Sequence, residues 1–111
     1  MTDGEDYLLV LSTCPDNAVA SRLATRLVEQ RAAACVKILP AVHSIYRWAD
    51  KLESNAEVLL LIKTRRWRYA EVETLLRLEH PYELPEIIAV PIVQGSSEYL
   101  SWINEMVNAA P

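Results

Sequence analysis

Only two cysteines, Cys14 and Cys35, occur in this 111-residue chain, and basic residues are outnumbered, 11 Lys and Arg against 15 Asp and Glu. Long apolar runs are absent too: the longest, 58–62 and 87–93, fall well short of the about 20 residues needed to span a bilayer. A net charge of −4 works against attraction to phosphate backbones or anionic lipid, so neither nucleic acid nor a membrane is an expected partner. Residues 1–6 are acidic and polar and lack the basic and apolar regions of a secretory signal, which points to a cytoplasmic protein. In that reducing compartment both cysteines are expected as free thiols. No closely spaced Cys or His pair of the kind that marks a zinc site is present, nor is any repeat, linker or low-complexity segment.

What remains is a single domain, expected over 5–110, with half its residues apolar and enough length for one core. Residues 7–12 read as a first strand, followed by a helix capped by Thr13 or Asp16, in which Ala20, Leu23, Ala24, Leu27 and Val28 recur at helical spacing. Cys35 to Ile38 and Val42 to Tyr46 form strand around Pro40, which implies a bulge or an edge position. A polar turn is expected over 50–55, and a strand over 57–63 completes an extended hairpin. A second helix runs over 67–79 with Tyr69, Val72, Leu75 and Leu76 inward, and a fourth strand covers 87–93. Ser96 or Ser97 then caps a short third helix carrying Tyr99, Trp102, Ile103 and Met106.

The order β-α-β-β-α-β with a further C-terminal helix is that of an α+β, ferredoxin-like sandwich. Right-handed crossovers place the first two helices on one face of an antiparallel sheet. Yet residues 58–62 are apolar at every position, so the strand has no polar face to turn to water. The opposite sheet face and the hairpin edges therefore call for cover from other copies of the chain, and a closed ring of subunits supplies it.

The most chemically loaded segment is His80-Pro81-Tyr82-Glu83-Leu84-Pro85-Glu86. Its two prolines bias their preceding residues to extended backbone and stiffen the exit from the second helix. Glu83 and Glu86 are candidates for acid and base roles, although no nucleophile accompanies them. The basic stretch Lys63-Thr64-Arg65-Arg66-Trp67-Arg68 lies at a helix start, where backbone amides attract anions and added cations require acidic partners or a ligand. Tyr46, Trp48 and Tyr82 offer stacking surface, His43 reads as an ordinary strand histidine, and Cys35 as a small core hydrophobe.

The series Thr13-Cys14-Pro15-Asp16, Ala33-Ala34-Cys35-Val36, Ser44-Ile45-Tyr46-Arg47-Trp48, Ile62-Lys63-Thr64, His80 through Ile88, and Tyr99-Leu100-Ser101-Trp102-Ile103 resembles the CutA divalent-cation-tolerance proteins over nearly the whole chain. That resemblance implies a non-catalytic, PII-like homotrimer in the cytoplasm, assembled through the long hairpin and the C-terminal region, that binds copper or another divalent cation and uses no organic cofactor. It also implies metal ligands at His80, Glu79 and Ser12. The family's cysteine and paired histidine are replaced at Ser12 and Glu79, and Cys14, two positions along the strand from Ser12, is a candidate substitute. The alternatives are a PII-like sensor binding a small anion near Lys63 and Arg65, an acid-base enzyme using His80 with Glu83 or Glu86, and a structural scaffold trimer.

Overall fold

The computed structural model describes residues 6–109; the outer limits expected for the domain, residues 5 and 110, lie outside them. Strand β1 (Tyr7–Cys14) leads into helix α1 (Asn17–Glu29), and strands β2 (Cys35–Trp48) and β3 (Lys51–Arg65) form the hairpin. A 3-10 turn (Arg66–Arg68) opens helix α2 (Tyr69–Glu79), and strand β4 (Ile88–Pro91) and helix α3 (Ser97–Asn108) complete the chain. All strand pairs are antiparallel, in the order β2-β3-β1-β4. The expected ferredoxin-like element order and the extra helix are both present.

Local chemistry accounts for the boundaries. The Asp16 carboxylate accepts the Val19 backbone N–H at 2.9 Å and caps α1, and the Ser96 hydroxyl accepts from Tyr99 N to cap α3. At the far end of α1, Arg31 adopts a φ of 62°, the left-handed conformation that ends many helices. Its guanidinium then reaches the Met106 carbonyl of α3. Helix α2 starts two residues later than the apolar spacing implies, because Trp67 lies in the 3-10 turn and is half exposed. Val28, expected on the buried stripe of α1, faces outward, and β4 is shorter than the apolar run that contains it.

The hairpin differs most from expectation. Most of the turn expected over 50–55 is strand: residues 51–55 continue β3, and the reversal is the two-residue loop Ala49-Asp50 between paired Trp48 and Lys51. Both loop residues have positive φ, 52° and 64°, as a turn matching the strand twist requires, without the Asn-Gly that normally signals it. Farther down, the register shifts between Leu39 and Val42, with Ala41 at a φ of 66°. Pro40 and Ala41 thus form the expected bulge. Beyond it, residues 43–56 pair only with each other and project as an arm from a molecule measuring 46 × 27 × 22 Å.

Alternation along the strands divides the sheet into two faces. Val10, Leu60 and Ile62 point toward α1 and α2 and are fully buried with Leu23, Leu27, Val72 and Leu76. On the opposite face α3 covers only one end, where Tyr7 and Ala34 pack with Ile103 and Val107. The pairings align Lys37, Leu61, Leu11 and Ile88 in one row across all four strands of that face. Leu11 and Leu61 are half-buried there, and Ile88 is 53% exposed. Cys35, expected in the core, belongs to the neighbouring row with Lys63, Leu9 and Val90 and is only partly covered.

Candidate functional site

The stiff segment after α2 folds back over the end of β1. His80 is the C-cap of α2 and has left helical geometry (φ −77°, ψ 137°), as Pro81 dictates. The residue is 8% exposed, with ring Nε2 2.8 Å from the Thr13 carbonyl oxygen. The Tyr82 backbone N–H donates to Nδ1 at 3.1 Å. A ring that accepts at Nδ1 and faces a carbonyl at Nε2 is the neutral tautomer with its proton on Nε2. Burial lowers the histidine pKa from its ordinary 6.5, outweighing the Thr13 hydrogen bond and the negative charge of Glu57.

Tyr82 extends the same network. Its ring lies 4.8 Å from that of His80, tilted by 47°, and its hydroxyl donates to Glu57 Oε2 at 2.6 Å. Burial first, and then the bond to the Glu57 carboxylate, push the phenol pKa well above 10.0. Glu57 itself is 7% exposed, at the point where β3 parts from β1, next to the Val58–Cys14 pair. Cys14 is fully buried, and its thiol is pushed up to about 11 by desolvation, then by the charges of Glu57 and Asp16. It is therefore a protonated core thiol, not a thiolate.

The four residues implied as ligands do not converge. Glu79 lies on α2 and pairs with Arg26 on α1, Oε2 accepting from Nε at 3.1 Å and standing 3.0 Å from Nη2. Ser12 points into the core with Leu60, fully buried, and its hydroxyl has no hydrogen-bond partner. Cys14 shares that face, as two-residue spacing on a strand requires. Among the described residues no group of three or more His, Cys, Asp and Glu side chains is placed to hold a metal ion. As a resident metal centre, the donor set of one chain does not fit: both His80 nitrogens are engaged, the thiol is protonated and the carboxylate is paired.

The other candidates are also accounted for. Lys63 donates to the Tyr99 hydroxyl at 3.0 Å, and Arg65 stacks on Tyr7, pairs with Asp6 and donates to Asn104. Arg68 donates to the Val107 carbonyl at 2.8 Å and pairs with Glu71. These cations fasten α3 and the start of α2 instead of lining an anion site. Glu83 and Glu86 are exposed, and His43 is an exposed strand residue. Tyr46 bonds Asn55 along the arm.

Sequence reasoning missed Glu57. The available signal was a lone carboxylate at the head of the apolar run 58–62. The Thr13 carbonyl, being backbone, had none.

Known proteins resemble this chain over most of its length. Residues 8–106 match the family described as CutA1 divalent ion tolerance protein. A Protein CutA homolog from Xenopus laevis is 46% identical over 95 residues, covering 86% of this chain, which in turn spans 63% of that relative's length. The divalent-cation tolerance protein CutA of Pectobacterium atrosepticum is 44% identical over 99 residues, 89% of this chain and 90% of the relative. Among solved structures, CutA from Xylella fastidiosa superposes with a TM-score of 0.90 at 46% identity, over 92% of this chain and 98% of that one.

Proposed function

The chain belongs to the CutA1 divalent ion tolerance protein family, and from that premise we propose that it acts in divalent-cation tolerance as a non-catalytic homotrimer, meeting copper or another divalent ion as cargo. The observation that carries the assembly is the apolar row Leu11, Leu61 and Ile88 on the sheet face that α3 leaves open. A row of this kind is covered in a functioning soluble protein, and identical subunits closing on one another cover it three times at once. Cytoplasmic residence is part of the same proposal, and cell fractionation tests it.

The ion's contact with the chain runs through His80. Imidazole suits copper, but to coordinate, the ring has to release the Tyr82 N–H at Nδ1 or lose the proton it gives to Thr13 at Nε2. Binding is then coupled to movement of the 80–87 segment, and the affinity is low. Titration with copper under reducing conditions, following ion uptake by the native chain and by His80→Ala, tests this. Uptake lost in the variant supports the role of His80; equal uptake by both contradicts it. The anion-sensor reading has little to draw on, since Lys63, Arg65 and Arg68 are spent on Tyr99, Asn104 and the end of α3.

A further inference from the structure

The two ends of the sheet treat charge differently. Where α3 ends, carbonyls that a helix leaves unbonded are met by cations, Arg31 on Met106 and Arg68 on Val107. At the opposite end Glu57 is 7% exposed as a residue, yet its carboxylate has one neutral donor, Tyr82, and no ion pair among the described residues. A carboxylate taken out of water to that extent is ordinarily matched by a cation. On the arm of the same chain the reverse holds. Arg47 and Lys51 are exposed, and their side chains make no hydrogen bond or ion pair within the described residues. They flank apolar side chains held out to solvent, Ile45 at 72% exposure and Leu52 at 73%.

We propose that the Glu57 carboxylate receives the guanidinium or ammonium group of Arg47 or Lys51 from the arm of a second copy of this chain. The charges complement each other, and the arm's exposed apolar residues give it a reason to lie against another subunit. Glu57 is positioned for the role by two features. The bulge at Pro40-Ala41 ends just before Val42, its cross-strand neighbour, and Tyr82 holds one carboxylate oxygen, leaving the other for a cation. Tyr82 and Tyr46 add aromatic surface of the kind on which guanidinium groups stack. This inference rests on the homotrimer reading.

The test is Glu57→Gln, which keeps the shape and one acceptor oxygen for the Tyr82 hydroxyl while removing the charge and turning the second oxygen into an NH2 donor. Sedimentation across a dilution series and thermal melts at matched concentration are measured for it, for Arg47→Gln and Lys51→Gln, and for each double variant. The expected result is an assembly of E57Q that dissociates at a concentration at least about ten-fold higher, with a lower melting temperature. One arm variant reproduces the loss, and combining it with E57Q adds little more. If E57Q assembles normally or melts higher, as relief of an unmatched buried carboxylate predicts, the proposal is overturned. A loss in E57Q that neither arm variant reproduces, or one that simply adds to theirs, overturns it too. A native chain that is monomeric throughout removes the trimer reading itself, whereas a native trimer with an unaffected E57Q removes only this ion pair.

Discussion

On the helix side of the sheet Val10, Leu60 and Ile62 have no exposed surface, whereas on the other side Leu11 and Leu61 are half-covered and Ile88 is 53% exposed. Side chains of one kind, alternating along the same strands, therefore meet a core in one direction and open surface in the other. The difference lies in what the chain supplies: α1 and α2 span the first face, while α3 reaches only the end marked by Tyr7 and Ala34. A strand without a polar face is a statement about neighbours, and the described residues cover one face fully and the other only at the α3 end.

The strongest way to probe that contrast is a matched pair of truncations on β3. Leu60→Ala is expected to cost about 2–5 kcal/mol in urea unfolding, as for other fully buried leucines. Leu61→Ala, adjacent but on the open face, should approach that cost at concentrations where the trimer is complete and fall to about 1 kcal/mol on dilution to monomer. Equal, concentration-independent losses at the two positions break the comparison.

A second probe addresses the end of β1. His80→Ala removes the bonds to Thr13 and Tyr82 from a buried site and should cost about 1–3 kcal/mol in the same unfolding experiment. The pH dependence has a definite sign. Because the folded-state pKa of His80 lies below its ordinary 6.5, the unfolded chain takes up the proton first as pH falls. The contribution of neutral His80 is thus complete above pH 6.5 and lost as pH drops through 6.5 toward the folded value. Stability measured from pH 8 downward should decline in that window for the native chain, with a shallower decline in the variant.

Much of the body was legible in sequence because the determinants are local. Asp16 before an apolar helical stripe, Ser96 before another, Pro40 within a strand and Pro81 after His80 each act within a few residues. The arm was misread for an equally physical reason. Lys51, Glu53, Ser54 and Asn55 look like a turn because they are polar and the arm that carries them is mostly exposed, and the true turn, Ala49-Asp50, has neither glycine nor asparagine to announce its positive φ. At the candidate site His80 stood out, but its meaning depended on a backbone carbonyl at Thr13 and a carboxylate 23 residues away in sequence, at Glu57. Such partners are set by topology, and no short pattern encodes them.

Two smaller effects refine the picture. Replacing Ala49-Asp50 by Asn-Gly, residues suited to the observed φ values, should stabilise the protein by about 1 kcal/mol in thermal melts, leaving the site unchanged. Ser12→Ala removes a buried hydroxyl without a partner and is expected to leave stability equal or raise it by up to about 1 kcal/mol. A marked loss there would mean that the hydroxyl is engaged in the native protein. Thr64 on the same face gives the contrast, since its hydroxyl donates to the Ala32 carbonyl at 2.6 Å.

The central claim, that other copies of the chain cover the open face, is tested most directly by light scattering on the purified protein through a dilution series. The account predicts a persistent species of three times the 12.6-kDa chain mass, dissociating when Leu61 is replaced by Asp. A stable monomer at all concentrations, with Leu61 and Ile88 open to water, would contradict it.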